Sequence, residues 1–298
     1  MAMYVVIPNH RIAPEGEPMT EAAHSADVHP FDDAVALDPV AEGVYSGRTH
    51  PAYANMVGPF GGITAAVVVR AVLDDARLLG ELLSLTVNYA APVADGTFEL
   101  TATPVRTNRS TQHWTVELAQ DGTVTTTATV VTGLRRPTWS DTEVAMPEVP
   151  AAEAVPVRPM PDFVVWARNY EMRYVEGALP DVDTGAQPDS TTTLWVRERP
   201  SRPLDVPALA ALCDVFYPRV LRRRGTFVPA GTVSLSTYFH AAADTVRAQG
   251  DRPLLATARA GVFGGGYFDQ SARLWSAGGE LLASSHQLVY FKERALSA

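Results

Sequence analysis

Three polar residues have side chains that could carry chemistry, one in an apolar segment and two in strand-like segments. Asp214 lies within Leu209–Phe216, where a buried carboxylate costs free energy unless it is hydrogen-bonded or neutralised. Gln287 lies in the strand-like segment Ala283–Tyr290, and Thr232 begins a segment whose composition is typical of a strand. A carboxylate can act as a general base, and a hydroxyl or an amide can hold a polar ligand. Taken singly, each residue also has an ordinary structural explanation.

Motifs of several other chemistries are absent from the sequence. A G-x-S-x-G elbow and a phosphate-binding glycine loop are missing, which argues against an α/β-hydrolase and against a nucleotide site. The seven histidines form no metal-binding pair, so we expect no metal and no cofactor. The single cysteine, Cys213, lies in an apolar helical segment, where we expect a buried and unreactive thiol.

Composition limits the partners of the chain. Its 298 residues carry a formal net charge of −9, which disfavours nucleic acid because phosphate binding needs a clustered positive surface. No apolar run is long enough for a membrane span, and one cysteine cannot form an intrachain disulfide. We therefore expect a cytoplasmic protein.

A pattern of one apolar helix followed by strand-like segments occurs twice. The helices are predicted over 63–79 and from Pro207 to about Leu221. Two further signals, Asp121-Gly122 and Gly278-Gly279, mark the last hairpin turn of each half. The predicted strands are 83–89, 98–106, 113–119 and 123–134 in the first half, and 232–240, 254–262, 267–275 and 281–291 in the second.

This duplicated order predicts an α+β fold. A long apolar helix beside an antiparallel sheet is buried only if the sheet wraps around it, so we expect two tandem antiparallel sheets, each wrapped around a long apolar helix. The predicted units are a poorly ordered N-terminal arm (1–38), an N-terminal domain (39–134), a proline-rich linker (135–161) and a C-terminal domain (162–298).

With this layout, the sequence resembles the acyl-CoA thioesterase II family over about residues 40–292. The resemblance rests on Phe60 to Gly62 at the start of the first helix, Tyr89 to Pro92 after the first long strand, Asp214 within the second helix, Thr232 eight residues before His240, and Ala283 to Gln287 in the final strand. It implies a double hotdog fold, in which two units of one helix and one sheet lie in a single chain.

The resemblance also implies an activity, the hydrolysis of acyl-CoA to a free fatty acid and CoA. In that family an Asp, a Thr and a Gln bind and activate the hydrolytic water, and the matching residues here are Asp214, Thr232 and Gln287. Ser234 is the alternative to Thr232 on the same strand face. This reading places the active site in the C-terminal domain.

Substrate-binding candidates lie in the first half. Backbone N–H groups at a helix N-terminus, with Gly61 and Gly62 allowing close approach, could polarise a carbonyl oxygen, although these glycines could equally serve helix–sheet packing. Arg106 and Arg109 are candidates for contacting CoA phosphates. Because hotdog units usually pair, we expect a homodimer or a higher homo-oligomer.

The two halves are predicted to be chemically unequal. Alignment of the halves places Thr64, Leu82 and Val130 at the positions of Asp214, Thr232 and Gln287, respectively. Since these residues cannot activate a water, we expect one active site per chain. The alternative is a non-catalytic hotdog protein that binds acyl-CoA or another lipid. A hotdog hydratase is disfavoured because its D-x-N-P-x-H motif is missing.

Overall fold

The computed structural model describes residues 28–179 and 185–292, and in these ranges it contains a large antiparallel sheet and few helices. The strands are β1 (Asp38–Ala41), β2 (Val44–Arg48), β3 (Glu81–Tyr89), β4 (Thr97–Thr107), β5 (Thr111–Gln120), β6 (Thr123–Gly133), β7 (Tyr170–Glu176), β8 (Thr192–Glu198), β9 (Ala230–Phe239), β10 (Leu254–Arg259), β11 (Phe263–Gly264), β12 (Tyr267–Trp275) and β13 (Leu281–Phe291). The helices are α1 (Pro30–Ala34), α2 (Gly61–Leu73), α3 (Val206–Leu212), α4 (Arg219–Arg224) and α5 (Ala243–Ala248). Among the described residues, no helix is long and apolar enough to cross a lipid bilayer.

The strands form one continuous sheet rather than the two separate sheets predicted from the sequence. Their order is β1-β2-β4-β5-β6-β3-β9-β13-β12-β10-β8-β7, with β11 pairing β12 at the side. The first half contributes β1 to β6 and the second half contributes β7 to β13. Strands β3 and β9 pair with each other, because otherwise both would be unprotected edges.

The β3–β9 pairing relates the two halves by a local two-fold symmetry. Thr86 pairs with Ser236, and their hydroxyl oxygens are 2.9 Å apart. Ser84, two residues before Thr86, pairs with Tyr238, two residues after Ser236. A rotation about this point therefore places each residue of β3 on the residue of β9 that lies 150 positions later.

The neighbouring strands extend this correspondence. Leu85 of β3 pairs with Val130 of β6, and its counterpart Leu235 of β9 pairs with Gln287 of β13. Val130 therefore occupies in the first half the position that Gln287 occupies in the second. This confirms the prediction made by aligning the two final hairpins.

Both halves also contain a β-bulge at the same place. The pairing of β3 with β6 skips residue 83, and the pairing of β9 with β13 skips residue 233. Leu82 and Thr232 are the residues that pair just beyond these bulges. The structure thus confirms that Leu82 is the counterpart of Thr232, while the matching of Thr64 with Asp214 stays a prediction.

The first helix is shorter than the sequence predicted. Helix α2 begins at Gly61 and ends at Leu73, and most of its residues are buried, as expected for an apolar segment. The chain turns at Asp75, whose carboxylate accepts hydrogen bonds from the backbone N–H and the guanidinium of Arg77. This local side-chain bonding competes with continued helical bonding, so the helix does not extend to residue 79.

The second predicted helix is two short helices with a break between them. Helix α3 ends at Leu212 and α4 begins only at Arg219. A continuous helix would need an N–H at residue 218 to bond to the carbonyl of Asp214, and Pro218 has none. The prediction of a long apolar helix is therefore wrong here, and Asp214 lies just after α3 rather than within a helix.

The predicted arm and linker are partly packed onto the domains. Residues 1–27 lie outside the described residues, but Phe31 in α1 is fully buried in the core. In the predicted linker, the carbonyl of Pro150 accepts a hydrogen bond from the indole N–H of Trp195, at 2.9 Å. The carbonyl of Val155 accepts another from the Arg173 guanidinium, also at 2.9 Å, so this segment lies along the second half.

Candidate active site

The three residues singled out in the sequence lie side by side in the fold. The Gln287 amide nitrogen donates a hydrogen bond to Asp214 Oδ1 at 2.8 Å, and the Thr232 hydroxyl donates to Gln287 Oε1 at 3.2 Å. Together they form a continuous chain, Thr232–Gln287–Asp214, which we call the polar triad. Ser234, the alternative to Thr232, is not among the residues that line the adjoining cavity.

The β-bulge in β9 decides the orientation of Thr232. In a regular antiparallel pairing, Thr232 would lie opposite Tyr290, whose side chain is on the outer, exposed face of β13. Because residue 233 is skipped, Thr232 instead pairs with Val289, which is buried on the same face as Gln287. A shift of one residue reverses the face of every following side chain, so this bulge brings the hydroxyl to the Gln287 amide.

Helix α2 of the first half completes the surroundings of Asp214. A Cβ atom added to Gly61 would lie 2.7 Å from Asp214 Oδ2, so the helix backbone lies directly against the carboxylate. The backbone N–H of Gly62 also forms a hydrogen bond with Asp214. The Tyr89 hydroxyl donates to the carbonyl of Gly61 at 2.8 Å and fixes this end of the helix. The site therefore uses both halves of the chain.

Burial changes the acidity of Asp214. The residue is 7 % exposed, and loss of hydration raises the pKa of its carboxyl from 3.8 to about 7. Hydrogen bonds from Gln287 and from the Gly62 backbone stabilise the charged form and limit this rise in pKa. A general base works best with a pKa near the ambient pH, so Asp214 is well matched to accept a proton at neutral pH.

We expect activity to rise with pH through about pH 7. Below its raised pKa, Asp214 carries a proton and cannot accept another, so kcat/KM falls as the pH falls below about 7. Initial rates from about pH 5 to 9 measure this profile. Gln287→Leu removes a hydrogen bond that lowers the pKa of Asp214, so its profile is expected to shift to higher pH. A flat profile for the wild-type protein would contradict this assignment.

A large apolar cavity opens beside the polar triad. Its volume is about 980 Å³, and Asp214, Thr232 and Gln287 all line it. Exposed apolar side chains also contribute to its lining, namely Met56, Val57, Phe163 and Phe227. Binding sites for small molecules are typically apolar cavities with a few polar groups, and their volumes reach about 1,000 Å³. A largely apolar ligand suits this cavity.

The cations of the cavity are not those that the sequence suggested. Arg106 lies near the end of β4 and Arg109 in the turn that follows, and neither lines the cavity. Arg158 and Lys292 do line it. Arg158 lies in the predicted linker and Lys292 directly follows β13. Nothing in the sequence around either residue indicated a role in binding.

Two further cavity residues were missed by sequence reasoning. Tyr89 belongs to the segment that supports the family resemblance, but its bond to the Gly61 carbonyl depends on tertiary packing. Gln270 lies in β12, directly across from Gln287. Alignment of the two halves could have indicated Gln270, because its first-half counterpart is the apolar Trp114.

Cys213 precedes Asp214 but has different surroundings. Its thiol is fully buried, and burial raises its pKa to about 12. A thiol with such a pKa carries almost no thiolate at neutral pH, and the thiolate is the nucleophilic form. The structure supports the expectation of an unreactive thiol.

Comparisons with known proteins agree with this architecture. The model of the acyl-CoA thioesterase N-terminal domain matches residues 50–133, and that of the acyl-CoA thioesterase C-terminal domain matches residues 145–291. Comparison with curated proteins gave no significant match.

Solved structures share the fold over nearly the whole chain. A hotdog-fold protein of unknown function from Alicyclobacillus acidocaldarius is 47% identical, with a TM-score of 0.86, over 90% of this chain and 100% of its own. An acyl-CoA thioesterase II from Mycobacterium marinum is 19% identical, with a TM-score of 0.69, over 89% of this chain and 99% of its own. The matched domains and this shared hotdog fold show that the chain belongs to the acyl-CoA thioesterase II family.

Proposed function

We propose that this protein hydrolyses acyl-CoA thioesters to a free acid and CoA. The observation that carries the proposal is the polar triad at the wall of an apolar cavity, with its carboxylate held at a pKa near neutrality. A thioester needs a positioned and activated water more than strong acid help, because a thiolate is a good leaving group. The triad supplies a base and two groups that orient that water.

The reaction follows from the roles of the three side chains. Asp214 accepts one proton of a water whose oxygen attacks the carbonyl carbon of the thioester, and a C–O bond forms. The tetrahedral intermediate collapses, the C–S bond breaks, and the thiolate of CoA leaves. The proton held by Asp214 then passes to the thiolate or to solvent. Gln287 and Thr232 hold the carboxylate and the water in line, which replaces a random collision with an oriented attack.

The N-terminus of α2 is suited to stabilise the carbonyl oxygen during attack. Backbone N–H groups at this end of a helix point outward, and the helix dipole favours negative charge there. Gly61 lines the cavity, and the lack of a side chain permits a close approach by the substrate. We assign to Gly61 the binding of the thioester carbonyl, because Gly62 does not line the cavity and its N–H is already bonded to Asp214.

The other residues that line the cavity are of two kinds, apolar side chains suited to an acyl chain and cationic side chains suited to phosphate groups. Apolar side chains such as Phe60 and Phe216 surround the space beside the triad and would contact the acyl chain. Arg158 and Lys292 also line the cavity, and cations of this kind bind phosphate groups. We therefore assign the CoA phosphates to Arg158 and Lys292 in place of Arg106 and Arg109.

Each chain has one such site in this proposal. In the first half, Leu82 and Val130 replace Thr232 and Gln287 at equivalent positions of the sheet. Two apolar side chains cannot hold a water or a carboxylate. The first half therefore lines the cavity and supplies the N-terminus of α2, and the second half supplies the base.

The test measures the rate at which free CoA thiol is released from acyl-CoA substrates of increasing chain length, with a thiol-reactive dye as the detector. We expect saturable turnover that far exceeds the uncatalysed rate with at least one of them. Tight binding of acyl-CoA by calorimetry without release of CoA would instead identify a non-catalytic acyl-CoA-binding protein. Neither turnover nor binding with any acyl-CoA would overturn the proposal.

A further inference from the structure

Four exposed apolar side chains lie at the opening of the cavity. Met56, Val57, Phe163 and Phe227 all line it, yet each is more than half exposed to solvent. They belong to three separate loops, between β2 and α2, between β6 and β7, and between α4 and β9. We call these four side chains the apolar rim. Apolar residues that are exposed singly need no explanation, but a cluster of them marks an interaction surface.

The proposed reaction does not account for the apolar rim. The acyl chain would contact buried walls such as Phe60 and Phe216, and the CoA part of the substrate is polar. Neither part requires large apolar side chains that face water. Phenylalanine is typical of protein segments whose apolar face enters the boundary between lipid headgroups and acyl chains. The apolar rim therefore fits a partner that is apolar beneath a polar surface.

The exposed charges of the cavity lining have one sign. Within the described part of the chain, the exposed charged residues that line the cavity are Arg158 and Lys292, both cations. Asp214 also lines it but is buried. The chain as a whole carries a charge of −9, so this opening departs from the overall balance. Distant acidic residues act weakly here, because charges more than about 8 Å apart are largely screened at physiological ionic strength.

Helix α4 adds positive charge beside the opening. Its Leu221 lines the cavity, three arginines (222–224) follow directly, and the last two of these are exposed. Asp162, the acidic neighbour of Phe163, lies 4.0 Å from the guanidinium of Arg168, which offsets its charge. Close in sequence to the apolar rim, cations therefore outnumber acids.

We propose that the apolar rim docks the protein on the surface of an anionic phospholipid membrane. Phe163 and Phe227 would enter the boundary between headgroups and acyl chains, and the nearby cations would lie against the lipid phosphates. Binding of this kind combines burial of apolar area with attraction to anionic lipid, and it needs no spanning segment. The cavity would then open toward the membrane.

The test is sedimentation of the protein with vesicles of phosphatidylcholine alone or of an equal mixture of phosphatidylcholine and phosphatidylserine. We expect binding to the mixed vesicles to be at least about tenfold tighter, because each Lys or Arg near an anionic surface adds attraction. Raising the salt concentration from about 0.1 M to about 1 M should weaken this binding, because the screening length falls from about 10 Å to about 3 Å.

Substitutions locate the binding surface. Phe163→Ser combined with Phe227→Ser should weaken binding to the mixed vesicles by at least about tenfold, because less apolar area then leaves water. Both side chains are exposed, so circular dichroism should show an unchanged fold. Trp139→Ser is the matched control; Trp139 is an exposed aromatic residue outside the cavity lining, and its replacement should not alter binding.

Several results would overturn the inference. They are the absence of binding to either vesicle, equal binding to both, and undiminished binding by the double variant. Light scattering without lipid tests a different occupant of the apolar rim: if the double substitution lowers the molar mass, a second copy of the chain covers the rim and the inference is wrong. The vesicles contain no thioester, so failure of this inference and failure of the proposed hydrolysis are observed separately.

Discussion

Asp214→Asn is expected to lower kcat by about 10²–10⁴-fold, the usual contribution of a general base. An asparagine has nearly the same shape, and its side-chain oxygen can still accept the hydrogen bond from Gln287 that is 2.8 Å long in the structure. It cannot, however, accept a proton from water at neutral pH. The measurement is kcat on the best substrate found by thiol release.

Two controls accompany this variant. Asp74→Asn makes the same chemical change at the surface, where Asp74 pairs with Arg70, and should leave kcat unaltered. Thr64→Val tests the first half and should lower turnover far less than Asp214→Asn. The Asp214→Asn protein should remain folded by circular dichroism, since a neutral amide is easier to bury than a charge. A kcat within a few-fold of wild type would disprove both the assigned base and the inequality of the halves.

Gly61→Ala and Gly62→Ala are expected to fail in different ways. The new Cβ at Gly61 would lie 2.7 Å from Asp214 Oδ2 and must displace the carboxylate, so we expect kcat to fall by about 10²-fold or more with a modest loss of stability. The new Cβ at Gly62 would lie 2.5 Å from the backbone carbonyl of Ala211, which cannot move alone. We expect Gly62→Ala to destabilise the fold by about 1–3 kcal/mol through overpacking between α2 and α3.

Activity assays and urea unfolding together distinguish these two outcomes. Gly96→Ala is a suitable control, because nothing lies within 4 Å of its added Cβ and the residue is outside the site, although its positive φ costs some stability. Full activity in Gly61→Ala would show that α2 does not lie against the carboxylate. An unchanged free energy of unfolding in Gly62→Ala would show that the two helices are not in close contact.

Local sequence signals determined the strands and the turns. Asp121 and Gly122 both adopt positive φ in the β5–β6 turn, as expected for a two-residue hairpin loop with this sequence. The equal spacing of the final hairpins also gave the correct counterpart of Gln287, namely Val130. These features follow from nearest-neighbour chemistry and from alternation along a strand, which a sequence displays directly.

Helix boundaries were less accessible from the sequence. The apolar composition of 207–221 suits a helix, but Pro218 removes one backbone donor and the chain breaks after Leu212. The same apolar residues remain buried in the irregular segment, so burial alone could not distinguish the two structures. In the first half, bonding within the Asp75–Arg77 turn ended α2 early.

The residues of the candidate site could be chosen from the sequence. Their proximity in space, in contrast, was decided by the tertiary structure. Asp214, Thr232 and Gln287 could be selected because their order and placement match a family pattern. A one-residue bulge turns Thr232 toward Gln287, and bulges of this kind depend on pairing with a distant strand. The pKa of Asp214 depends on burial against α2 of the other half, and the cavity beside it is lined by residues of both halves. Desolvation and hydrogen-bond satisfaction are properties of the space around an atom, and only the folded chain encloses that space.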